Sequence, residues 1–156
     1  MALKPDRNIL ETDISLVCND VTSKGLVLCY GTAASGVGNE AAGVVAKMSN
    51  PSGYKVAGLT LAGFVDIDQT RFHRNFHKDE QVIGEKAPLL TKGWVITDAI
   101  ANVSVLPGEK AYLVANGTIS NVVSSTGGVV ATPEVGAFLT KKDESGFAKV
   151  YINLPV

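Results

Sequence analysis

His73 and His77 stand four positions apart in the segment TRFHRNFHKDEQ (70–81), beside Arg71, Arg74, Lys78, Asp79, Glu80 and two of the chain's five phenylalanines, Phe72 and Phe76. On a helix that spacing puts both imidazoles on one face and can chelate zinc. On a strand the two lie about 13 Å apart, too far to share an ion. Phe, His, Asn and Thr are mediocre helix formers. A zinc ion also needs a third and a fourth ligand, and with no further histidine in the chain these would have to come from Asp79, Glu80 or distant carboxylates. The expectation is that no metal binds here. Basic residues interleaved with aromatics suit a protein interface, where Arg and Phe are enriched. The same composition suits a solvated loop anchored by Phe72 and Phe76. The candidate site is therefore an interface made by Arg71, Phe72, His73, Arg74, Phe76, His77 and Lys78.

Other spacings suggest chemistry and lack the context for it. GVGNEAAG carries Gly36, Gly38 and Ala41, formally a G-x-G-x-x-A dinucleotide turn after the apolar run LVLCY. Such a turn must open a helix packed on a parallel sheet, but Gly43 and then SNPSG interrupt after barely two turns, so a glycine-rich surface loop is expected. The sequence contains no G-x-S-x-G, no P-loop and no C-x-x-C. No local nucleophile–base pattern appears, and neither an enzyme nor a cofactor is expected.

Composition sets the compartment and the class of partner. The chain has 156 residues, 46% of them apolar and 19% charged, with a net charge of -1, enough for one buried core and too neutral to draw nucleic acid or an anionic membrane. Pro5, Asp6 and Arg7 interrupt any secretory apolar core, and no run approaches a bilayer span. Cys18 and Cys29 sit in apolar stretches and read as small buried hydrophobes in a reducing compartment, with a bridge between neighbouring strands left open. The sequons at Asn102 and Asn116 then carry no glycan.

The elements that must position these residues are strands. Sixteen glycines and six prolines leave few gaps for helices. AYLVANGTIS predicts a hairpin with a type I′ turn at Asn116-Gly117. FAKVYINL puts Ala148, Val150, Ile152 and Leu154 on one face, and with VGAFLT and the turn DESG it predicts a second hairpin over 135–154. ISLVC, LVLCY, YKVAGLTL, LLTKGWVI and ANVSVL are further candidate strands. Residues 64–83 predict a long connection or a short helix, and SSTGGVVATP a loop. The fold class is all-β: a single small β-barrel or β-sandwich, jelly-roll-like, over 14–156, preceded by an extended N-terminal arm at 1–13.

The segments VAGLTLAGFVDIDQTRFHRNFHKDEQVIGEKAPLLTKGWVITDAI, PGEKAYLVANGTIS and ATPEVGAFLTKKDESGFAKVYINL, with ETDI and KGLVLCYG near the start, resemble decoration (cement) proteins of tailed bacteriophages, in particular those of cyanophages. The resemblance runs from about Glu11 to Leu154, and Cys18 departs from it where an aromatic-rich strand is expected. It implies a non-enzymatic β-rich protein on the outer surface of an icosahedral head, bound to the major capsid protein as a homotrimer and assembled in the bacterial cytoplasm. Residues 71–78 would then face the capsid or a neighbouring subunit. The alternative is a carbohydrate- or host-surface-binding β-domain of a virion, for which Trp94, Tyr30, Tyr54, Tyr112 and Tyr151 look too scattered to form one aromatic groove. A hydrolase with a carboxylate or histidine pair in a cleft is the third reading.

Overall fold

A computed structural model of the chain describes residues 3–31, 43–66, 80–101, 104–123 and 132–155. In chain order its strands are β1 (Asn8–Asp13), β2 (Val17–Cys18), β3 (Val27–Tyr30), β4 (Val44–Ala46), β5 (Val56–Thr60) and β6 (Gly63–Val65), then β7 (Glu80–Val82), β8 (Leu89–Thr97), β9 (Lys110–Leu113), β10 (Ile119–Ser120), β11 (Glu134–Phe138) and β12 (Ala148–Asn153). The all-β expectation holds, and the only helical element among the described residues is one 3₁₀ turn, Ala115–Gly117.

The longest strand, β8, organises the rest. Its C-terminal half pairs with β12 from Lys92↔Asn153 to Thr97↔Ala148, and its N-terminal half pairs with β5 at Leu90↔Leu59 and Leu89↔Thr60. β1 pairs with β8 from Trp94↔Asn8 to Leu89↔Asp13. At both Trp94 and Leu90 a strand then lies on each side of β8, so β1 takes one edge while β12 and β5 share the other. The sheet reads β10-β9-β11-β12-β8-β5-β3-β4-β2. It does not close into a barrel. Its two halves share one core instead: Val27, Cys29 and Leu59 of the β3/β5 half cluster with Leu113, Val135, Phe138, Val150 and Ile152 of the β9–β12 half. An isolated parallel bridge, Ile100↔Ile119, tacks the chain after β8 to the outer edge of β10.

A second layer explains why the central strands are apolar without alternation. Parallel strands β6 and β7 form a two-stranded sheet, and Phe64, with Leu16, Cys18, Leu28, Val45, Ala57, Ala87 and Leu89, fills a second core. Along β3, Val27 and Cys29 enter the first core and Leu28 the second. A strand buried on both faces has no solvent side to alternate with. β12 is covered on one face, and there the period of two survives: Ala148, Val150 and Ile152 are buried while Lys149 and Tyr151 are half-buried and Asn153 is exposed.

Both predicted turns are present. Ala115 O accepts the Thr118 N–H at 3.3 Å across Asn116 (φ 57°, ψ 30°) and Gly117 (φ 80°), the type I′ geometry that Asn-Gly adopts at least cost. At Asp143–Gly146 the Asp143 carboxylate accepts the Phe147 N–H at 2.8 Å, and Gly146 turns at φ 87°. The expected strand ANVSVL is absent from its described part. Ser104–Leu106 has no strand, because Pro107 and Gly108 (φ 89°) turn the chain there and the Glu109 carboxylate takes the Leu106 N–H at 2.8 Å. Only Val105 of that stretch is buried in the core.

Residues 3–13 run along β8, with Leu3 buried and bridged to Thr97 and the Lys4 N–H donating to Ile96 O at 2.9 Å. Gly93 lets them approach: it has φ 143°, and a Cβ there would collide with the Asn8 carbonyl oxygen. Gly93→Ala should therefore lower stability by roughly 1–3 kcal/mol in urea unfolding. It should also speed amide exchange over residues 4–13 more than in β12.

Candidate functional site

The predicted interface residues Arg71, Phe72, His73, Arg74, Phe76, His77 and Lys78 lie outside the described residues. Their flanks are described. β6 ends at Val65 and β7 starts at Glu80, and the two strands are parallel neighbours, Gly63↔Glu80 to Val65↔Val82. Two parallel neighbours of this kind need about a dozen residues between them. Both flanks belong to the small second sheet.

Three features of the described surface present groups that can bind something. The first is β1. It is exposed along Asn8–Thr12, and among the described residues it pairs with β8 alone. Ile9 is 42% exposed, Leu10 54% and the following Ile14 67%. An exposed apolar edge strand is a template for another chain. The register shifts between Ile9 and Glu11 and between Glu11 and Thr12 break its regular repeat.

The second is a cleft of about 450 Å³ at the seam between the half-sheets, where β12 leaves β8 near Lys92 and β5 joins at Leu90. Val56, Ala57, Leu154 and Pro155 line its apolar part, with Glu11, Asp13, Lys55 and Tyr30 around them. The Ser15 hydroxyl (2.6 Å) and the Ser15 N–H (2.8 Å) both donate to Asp13 Oδ1, and they hold that carboxyl below its usual range. Asp13 is thus a fixed acceptor at neutral pH and unsuited to proton donation, which needs a raised carboxyl pKa.

The third is the solvent-facing side of the β9-β11-β12-β8-β1 ladder. Direct cross-strand partners line up as Lys110, Ala137, Tyr151, Trp94 and Asn8. Lys149 Nζ lies 3.7 Å from the Trp94 ring centroid. Tyr151 and Trp94, far apart in sequence, are immediate neighbours. The sequence reading missed this pair. Tyr151 falls on the polar side of the alternating run FAKVYINL and Trp94 within the candidate strand LLTKGWVI, but nothing local shows that those two strands are adjacent or in which register.

The two thiols are chemically quiet. Cys29 belongs to the first core and Cys18 to the second, on opposite faces of the same sheet, and both are free. Burial raises both, Cys29 to about 11, so little thiolate exists near neutrality. Among the described residues no group of three or more His, Cys, Asp or Glu is placed to hold a metal ion, and no helix is long and apolar enough to cross a membrane.

Comparison with protein-family models finds no match, and no curated protein matches the chain.

The thiols set a pH dependence. Above about pH 9 an unfolded cysteine ionises while folded Cys29 keeps its proton, so the unfolded state binds fewer protons and stability falls as pH rises. The thiol contribution is complete below pH 9 and is lost as pH climbs toward 11. Urea midpoints measured from pH 7 to 11 should decline over that window, less steeply for Cys29→Ala. A thiol-reactive dye at pH 8 should label neither cysteine until the chain is unfolded.

Proposed function

We propose that this chain is a structural virion protein that binds the outer surface of an icosahedral bacteriophage head and stabilises it by bridging adjacent capsid subunits. Its partners in this reading are the major capsid protein and two further copies of itself in a homotrimer, with no nucleic acid or membrane involved. It would act on the outer surface of the virion after assembly in the bacterial cytoplasm. Support comes from the resemblance carried by residues 11–154 and from an all-β domain with exposed adhesive surface. The observation that carries the reading is β1. Its apolar side chains Ile9 and Leu10, with Ile14 after it, stand exposed on a strand paired with β8 alone among the described residues.

The energetics suit adhesion to a repeating lattice. Finishing the burial of a half-exposed Leu or Ile contributes about 1 kcal/mol, too little for one contact to hold. Three arms on one trimer act at high effective concentration, so weak contacts multiply into firm attachment. Arg71, Arg74 and Lys78 would add charge-assisted bonds to acidic or carbonyl groups, with Phe72 and Phe76 as apolar anchors and His73 and His77 packing beside them.

The test is to mix the purified chain with undecorated heads and image them by electron cryomicroscopy. Threefold density on the outer surface is expected, with a trimer mass in sedimentation. Leu10→Asp, and separately Arg71→Glu with Lys78→Glu, should reduce occupancy at least tenfold at physiological salt and leave the thermal unfolding transition in place. A chelator should remove nothing. Bare heads at saturating folded protein would overturn the reading, and double-reversed protein that decorates as tightly as wild type would remove residues 71–78 from the interface.

A further inference from the structure

We propose that the solvent face of the β9-β11-β12-β8 ladder is a binding site for a neutral oligosaccharide, seated on Trp94 and Tyr151. This inference does not depend on attachment to a phage head. It starts from the register: Tyr151 lies directly opposite Trp94, so the two rings occupy neighbouring positions on one face. Their buried neighbours Val95, Val150 and Ile152 point the other way, which fixes the two aromatics as outward residues. They are half-buried, held against the sheet yet reachable. On the far side of Tyr151 the partner is Ala137, whose small side chain leaves a step beside the ring.

Aromatic faces carry partial negative charge, and the polarised C–H bonds on one side of a sugar ring are their natural complement. Lys149 Nζ sits over Trp94 at 3.7 Å, so a face of that ring is reached from the Lys149 side and already takes a positively charged group. An incoming sugar would displace this ammonium, which then has three N–H donors for hydroxyl groups. The rim supplies the remaining partners a polyol needs. Asn153 and Lys92 stand opposite each other in the next row, Asn8 closes the β1 end, and Lys110 with Glu134 closes the other. From Lys110 to Asn8 the row crosses four strand spacings, about 19 Å, the length of a short oligosaccharide.

Charge decides against a nucleic acid strand, the other ligand that stacks on aromatic platforms. Lys110 is paired with Glu134 at 3.1 Å and Lys4 with Asp143 at 3.5 Å. Glu11 follows Lys92 across the β8-β1 ladder. The face therefore alternates lysines with carboxylates, which repel a phosphate chain as much as the lysines attract it. A neutral polyol uses both signs as hydrogen-bonding groups and pays no such penalty.

Trp94 is the only tryptophan of the chain, so intrinsic fluorescence reads this site directly. Maltotetraose, cellotetraose and chitotetraose are titrated into the full chain, with oligothymidylate as the polyanionic control. At least one tetrasaccharide should shift the emission to shorter wavelength and saturate, and oligothymidylate should leave it unchanged. Tyr151→Ala should weaken the response at least tenfold. Ala137→Gln, which fills the step beside Tyr151 from a solvent-facing position, should do the same while keeping the wild-type unfolding transition. No saturable shift with any of the three sugars up to about 10 mM would overturn the proposal. So would a saccharide response unaffected by both variants, or a shift produced by oligothymidylate alone, which would make the face a nucleic-acid platform.

Discussion

Everything in this fold depends on how the two edges of β8 are shared. A strand has one set of hydrogen-bonding groups on each side, and β8 gives one whole side to β1 and divides the other between β12 and β5. Dividing an edge forces the sheet to part. The β12 side and the β5 side therefore leave β8 as two half-sheets that face each other across a core containing Val27, Leu59, Phe138 and Val150. The seam cleft lies at this division, beside Thr91, whose carbonyl accepts the Leu154 N–H at 3.0 Å as the chain leaves β12. Gly93 sits at that division and admits the backbone of Asn8 where any side chain would stand in its way.

The division also sorts the surface by function. The β3/β5 half is covered on both faces, by the first core and by the small β6/β7 sheet, so its residues are structural and its cysteines are sealed. Among the described residues the β9–β12 half is covered on one face only, and its other face displays Tyr151, Trp94 and Lys149 in cross-strand register. β1, along the other edge of β8, carries its apolar residues into solvent. Among the described residues the aromatic face thus belongs to the β9–β12 half, while the seam cleft is lined from both halves, by Tyr30, Val56 and Ala57 on one side and Leu154 on the other.

An exposed strand of this kind carries a risk of uncontrolled pairing, and the chain limits it locally. Pro5 precedes β1, and two register shifts within it spoil the straight edge that an indiscriminate partner would use. Glu11 and Asp13 add negative charge, with Asp13 held ionised by Ser15. A partner must then match an irregular, acidic and apolar strand, which favours a specific surface over general aggregation.

Local chemistry was legible in the sequence wherever one segment suffices to express it. Asn116-Gly117 reads as a type I′ turn because positive φ is a property of those two residues. The β11–β12 hairpin reads from its alternation and its turn. The apolar runs of β3 and β5 read as strands, yet their burial on both faces did not, since the covering strands β6 and β7 are short, and neither shows in its own sequence that it folds back over β3 and β5. ANVSVL had strand composition, but its described end, Ser104–Leu106, lost to the turn at Pro107 and Gly108 and to the Glu109 carboxylate. The pairing of Trp94 with Tyr151, the sharing of β8 and the sheet's failure to close were decided only by tertiary structure. The physical reason is that a strand's sequence states which of its faces is apolar, while its neighbour and register are set by competition among all strands for the same hydrogen-bonding edges.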